Sequence, residues 1–188
     1  EFFKNLKEGI QFVRENKGVR NFYFLASALN FFVANQEEVI NPGILIQKYN
    51  ITAKIFGFVS FSFTLGVILA GLFLAKRKEG NSRQILKQLF ITNSSIMIVI
   101  GTLSVIMHGQ HKLTFSYIFL FLEFCLGFIT ILINVPMTSY FQSTVPIGYQ
   151  GRVFGLLGLI SSLSVPIGIS YTGFLAQIIG ADFAYIVN

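Results

Sequence analysis

Charged side chains are scarce in this chain: Lys, Arg, Asp and Glu together make up 12% of its 188 residues, against roughly 25% in an average soluble domain. A chain so poor in charge cannot cover itself with a water-facing surface, which argues against a soluble globular domain. Cysteine occurs once, as Cys125 within an apolar run, so neither a disulfide framework nor a thiolate metal cluster can be built from it. It reads as a small buried apolar residue. Tryptophan is absent, which leaves anchoring at a membrane interface to tyrosines and basic residues. The two histidines, His108 and His111, share a short polar loop without nearby thiols or carboxylates, so no metal site is expected. No Gly-Lys-Ser or Gly-Lys-Thr phosphate loop occurs, which excludes an ATP-driven engine within this chain. No nucleophile with a partnered base can be named, so the chain reads as no enzyme, with no catalytic residues and no cofactor.

Apolar residues fill the space left: 53% of the chain is hydrophobic, with 22 Phe, and the mean hydropathy is +0.67. They fall in runs of roughly 20 residues, the length that crosses a hydrocarbon core of roughly 30 Å at about 1.5 Å per residue. The expected fold is therefore all-α, a polytopic membrane helical bundle. Residues 1–18 form an amphipathic lead-in, with Phe2, Phe3, Leu6, Ile10 and Val13 at helical spacing and Lys4, Lys7, Glu8 and Arg14 on the other side. Five spans follow at about 19–40, 55–75, 89–107, 113–135 and 153–179, and residues 180–188 read as the start of a sixth helix. Asn41, Pro42 and Gly43 close the first span, while Pro136 and Pro166 are compatible with kinked spans. The chain opens at Glu1 with no signal-peptide pattern and reads as an internal fragment.

The net charge of +6 raises the question of nucleic acid, and the placement of the charges answers it. Lys4, Lys7, Arg14, Lys17 and Arg20 precede the first span, Lys76, Arg77, Lys78, Arg83 and Lys87 follow the second, and Arg152 lies on the same side. The opposite side carries only Lys48, Lys54 and Lys112. Short inner loops collect Lys and Arg, so the expected partner is the bilayer of the cell membrane and not nucleic acid. Residues 1–18, 76–88 and 142–152 are expected to be cytoplasmic.

A charge near the middle of a span costs about 2.5–3.5 kcal/mol on insertion scales and asks for a reason. Glu123 is such a charge, and Gly127, Thr130 and Asn134 follow it at i+4, i+7 and i+11 on one helical stripe. That stripe is expected to face an interior cavity. Two readings of Glu123 stand side by side: a functional group on that cavity, or a carboxyl that pairs with a neighbouring helix and only holds the bundle together. Asn30, Ala34, Glu37 and Glu38 likewise share a face of the first span, with Asn35 and Gln36 beside it. The acidic pair there either attracts a cation or exchanges protons, or it is simply solvated at the membrane surface. Gly66, Ala70 and Gly71 in the second span, and Gly155, Gly158 and Ser161 in the fifth, permit close helix contacts.

Asn134-Val-Pro-Met-Thr, Phe141-Gln-Ser-Thr-Val-Pro and Gly151-Arg-Val-Phe-Gly together resemble the stretch from the fourth to the fifth helix in the C-terminal half of major facilitator superfamily permeases, especially the macrolide-efflux-type branch. Phe3-Lys-Asn-Leu-Lys-Glu-Gly-Ile, with Asn16-Lys-Gly-Val-Arg and Leu29-Asn-Phe-Phe, is similar to that branch's lead into its seventh helix. The resemblance implies half of a twelve-helix transporter, helices seven to eleven and the start of the twelfth. It further implies a missing N-terminal six-helix half as partner, a substrate path between the halves and alternating access. The implied function is secondary active transport, as a proton-coupled efflux permease for drugs or macrolides, with a small amphipathic substrate and the proton as coupling ion. Glu123, Thr130, Asn134, Glu37, Glu38 and Asn30 are then the substrate and proton-coupling candidates, and Arg77 and Arg152 the gating-loop candidates. Ala75 and Lys76 stand where the superfamily's basic loop motif carries an Asp near its start. The alternative is a truncated or non-transporting membrane scaffold of the same fold.

Overall fold

The computed structural model describes residues 2–32, 36–76, 82–107 and 111–187, apart from the side chains of residues 2–6, 37, 82 and 83. The described residues form the α-helices α1 (Phe2–Glu15), α2 (Lys17–Phe32), α3 (Ala53–Lys76), α4 (Ser82–Ile106), α5 (Lys112–Thr144), α6 (Ile147–Ile179) and α7 (Ala181–Val187). Two π-helical segments, Gln36–Ile40 and Gly43–Lys48, lie between α2 and α3. Among the described residues, α3, the Gln84–Ile106 part of α4, α5 and α6 are long and apolar enough to cross a membrane. The fold is an all-α membrane helical bundle.

Lipid offers a backbone no hydrogen-bond partner, so helices that cross it stay wound wherever they can. Pro136 and Pro166 accordingly lie inside continuous helices, and α5 runs on past the expected edge of the fourth span to Thr144. Unwinding there would expose several backbone groups where proline removes only one bond. Hydroxyls within the helices follow the same rule: Ser95, Thr102 and Ser164 donate to the carbonyls of Ile91, Ile98 and Ile160, four residues back, at 2.7–2.8 Å.

The first span departs most from expectation. Asn41, Pro42 and Gly43 do not end it: the chain stays helical across them to Lys48. Proline cannot donate to the carbonyl four residues back, and a widened π turn is one way to absorb that loss. The segment closes at Asn50, which takes the left-handed φ of 49°, while the Ile51 N–H reaches back to the Leu45 carbonyl at 2.9 Å. At the other junction, Pro146 sets φ at −57° and α6 starts at Ile147, ahead of the expected edge of the fifth span. The Gln150 side chain donates to the carbonyls of Gln142 and Val145, at 3.2 and 3.1 Å, covering the end of α5.

The most extensive packing joins α3 to α5, and two glycines permit it. A Cβ on Gly66 would run into the Phe124 carbonyl, and one on Gly127 into the Phe63 carbonyl. Ser62 adds a hydrogen bond to the Leu120 carbonyl at 2.8 Å. α2 lies along α6, and α4 packs on α5 and α7. Two buried apolar clusters result. One, at the end holding residues 1–18, gathers Val19, Tyr23, Phe141, Val145 and Val153. The other, toward the opposite end, is built on Ile40, Ile44, Leu45, Phe115, Phe119 and Tyr185.

Candidate functional site

Between the two clusters α2, α5 and α6 leave a cavity of about 400 Å³. On α5 it is lined by Leu126, Thr130, Asn134 and Thr138, residues spaced four apart, with Ile133 and Met137 beside them. Phe22, Ala26, Leu29 and Asn30 supply the α2 wall. Leu157 and Ser161 line it from α6, Phe63 from α3, Phe90 and Asn93 from α4, and Gln36 from the first π segment. Every described lining residue is uncharged. The wall alternates apolar side chains with hydroxyls and amides, the mixed lining of a small-molecule site.

Several of those polar groups already have protein partners. Asn30 Nδ2 donates to the Ala26 carbonyl at 2.8 Å and to Ser161 Oγ at 3.3 Å, and Asn93 Nδ2 to Met97 Sδ at 3.6 Å. Gln36 differs. It is 8% exposed, and its Nε2 is buried without a partner among the described residues.

Glu123 stands off the cavity. It is 2% exposed and accepts from Asn41 Nδ2 at 3.0 Å and from the Tyr185 hydroxyl at 3.4 Å, both on Oε1. Asn41 comes from the helical junction between the π segments and Tyr185 from α7, so three separated parts of the chain enclose the carboxyl. The stripe expected to face one cavity is therefore divided. Thr130 and Asn134 line it, Gly127 is pressed against the α3 backbone, and Glu123 is sealed behind Asn41 and Tyr185.

Of the remaining expected residues, Glu38 is exposed, while the Glu37 side chain and Arg77 lie outside the described residues. Arg152 pairs with Glu8 at 2.5 Å, tying the start of α6 to α1. Beside it Gly9 approaches so closely that an added Cβ would touch Arg152 Cβ at 3.4 Å. The Tyr23 hydroxyl donates to the Val153 carbonyl, and Phe22 stacks on Phe141 at 4.1 Å. At the opposite end Lys48 pairs with Asp182 and also donates to the Ser104 carbonyl at 2.6 Å, while Ser104 Oγ donates to Asp182 at 2.5 Å.

Sequence reasoning missed Gln36, Asn41, Asn93, Tyr185 and the Lys48–Ser104–Asp182 group as functional or organising residues. Asn93 carries a signal that could have found it, an amide inside an apolar span, by the same cost argument that singled out Glu123. Tyr185 carries none, because only the fold of α7 brings it to the carboxyl.

Compared with known proteins, the chain is 28% identical over 189 residues to Macrolide efflux protein A of Streptococcus pyogenes, an alignment covering 100% of this chain and 44% of that protein. It is 30% identical over 168 residues to Macrolide efflux protein A of Enterococcus faecalis, covering 89% of this chain and 50% of that protein. An uncharacterized MFS-type transporter, YfiS, of Bacillus subtilis (strain 168) is 27% identical over 118 residues, 63% of this chain and 28% of that protein. The chain thus spans about half the length of the macrolide efflux proteins it matches. No family model matches it, and no solved structure matches it at a significant level.

Proposed function

We propose that this chain, a major facilitator superfamily sequence related to the macrolide efflux proteins, is the C-terminal half of a proton-coupled efflux carrier for small amphipathic compounds. The observation that carries the reading is the cavity of about 400 Å³ with its mixed apolar and amide wall, set inside a membrane bundle with a buried carboxyl farther along the same α5 stripe. In the full-length carrier a second, N-terminal half faces this wall. The two halves rock about the site so that it opens to one side of the cell membrane at a time. Residues 1–18, 76–88 and 142–152 lie on the cytoplasmic side.

Glu123 is the proton site in this scheme, with Asn30, Thr130 and Asn134 on the substrate path. A carboxyl held by Asn41 and Tyr185 changes its hydrogen-bond partners when it gains or loses a proton, and those partners belong to segments that α5 does not move by itself. Protonation of Glu123 thereby shifts the helical junction at Asn41 and helix α7 relative to the cavity, which couples proton binding to access. The test is export of a 14-membered macrolide from energised cells producing the full-length carrier, with Glu123 as found and as Glu123→Gln. Loss of the pH dependence of export is expected in the variant. Unchanged pH-dependent export would remove Glu123 from coupling.

A further inference from the structure

Among the described residues, a buried donor on the cavity wall has no acceptor. Gln36 projects from the π segment Gln36–Ile40 onto the cavity, is 8% exposed, and its Nε2 meets no acceptor among the described residues. A buried amide donor without a partner loses its water and gains nothing in return, and such donors are uncommon in folded proteins. The neighbouring amides do not share the condition: Asn30 and Asn93 donate within the protein.

We propose that Gln36 is a specificity-determining residue of the cavity, donating from Nε2 to a carbonyl or ether oxygen on the uncharged, oxygen-rich part of the ligand, such as a macrocyclic lactone ring. The inference rests on the carrier function proposed for this cavity and names the part of the substrate that this half holds. The chemistry of the wall selects that part. A cation entering the site would give up water and meet, among the described lining residues, no anion, and Glu123 is turned to Asn41 and Tyr185. A lactone or ketone oxygen gives up little hydration and gains an amide donor, while its ring carbons lie against Phe22, Leu29, Phe63 and Phe90. Any basic group on an amphipathic substrate is then directed away from this wall.

The experiment measures binding to the purified full-length carrier in lipid nanodiscs, by calorimetry, with two probes. One is erythronolide B, a 14-membered lactone without an amino sugar; the other is tetraphenylphosphonium, a lipophilic cation without an acceptor oxygen. Gln36→Met keeps length and removes the donor. Among the described residues Nε2 has no acceptor to lose, so the variant's thermal stability is expected to match that of the unmodified carrier, while erythronolide B binds about tenfold more weakly and tetraphenylphosphonium binding stays the same. Gln36→Glu replaces the donor by an anion and is expected to weaken the lactone further and strengthen the cation. Equal lactone affinity in Gln36→Met, or no lactone binding by the unmodified carrier, overturns the assignment. Binding is separable from transport: a carrier that binds with the expected dependence on Gln36 but fails to export from proteoliposomes refutes the carrier reading alone.

Discussion

Glu123 and Asn134 lie on one stripe of α5 about three turns apart, yet Glu123 is sealed at 2% exposure while Asn134 faces an open cavity. Their helix does not distinguish them; their neighbours do. At the Glu123 level the helical junction carrying Asn41 and helix α7 close over α5, whereas at the Asn134 level α2 and α6 stand back and leave room. A polar residue in a membrane helix therefore does two different jobs, joining helices where it is covered and receiving a ligand where it is not.

Breaking the contact between the two levels gives the largest expected effect. Gly127→Val drives a branched side chain into the Phe63 carbonyl, and backbone on both sides cannot yield cheaply. A loss of roughly 3 kcal/mol or more is expected, read as a fall in folded yield and melting temperature of the detergent-solubilised full-length protein. Wild-type stability in Gly127→Val would show that α3 and α5 are not in contact there.

The comparison itself is sharpened by alanine at its two ends. Glu123→Ala leaves the Asn41 amide and the Tyr185 hydroxyl buried without their shared acceptor, a cost of about 2 kcal/mol. Glu123→Gln keeps an acceptor oxygen and is expected to lose less than about 1 kcal/mol. Asn134→Ala should lie within about 0.5 kcal/mol of the starting protein while weakening ligand binding. Thermal unfolding of the three variants side by side checks the order, and equal stability of Glu123→Ala and Asn134→Ala would erase the distinction between a covered and an open position. The smallest effect is expected at the ion pair between α1 and α6. Its side chains are 36% and 37% exposed, so water and salt screen it. Arg152→Ala should cost under about 0.5 kcal/mol, and that loss should shrink in high salt.

Much of the bundle was legible before any coordinates. Apolar runs of spanning length mark the helices because lipid requires every backbone group to bond within its own segment. The edges were less legible. Asn41-Pro42-Gly43 carries every sign of a helix end in water, but a π-helical path keeps the chain wound past it. Pro146 and the Gln150 side chain place the junction between α5 and α6 where a hydropathy run does not show it. Of the candidate residues, Asn30, Thr130 and Asn134 were visible as polar groups on helical faces, and all three line the cavity. Gln36 was visible only as a neighbour of the acidic pair, because its importance comes from a missing partner and not from its spacing.

The sequence by itself determined that this chain is a membrane helix bundle and which side chains are too polar to face lipid. Those properties follow from local composition and the 3.6-residue period, which act within a single helix. Only the tertiary structure decided that Glu123 meets Asn41 and Tyr185, that Gly127 is pressed against the Phe63 backbone, and that the Gln36 donor on the cavity has no acceptor among the described residues. Those outcomes depend on which helices cross and how closely, since a hydrogen bond or a void is a property of two or more segments at once and no single stripe encodes it.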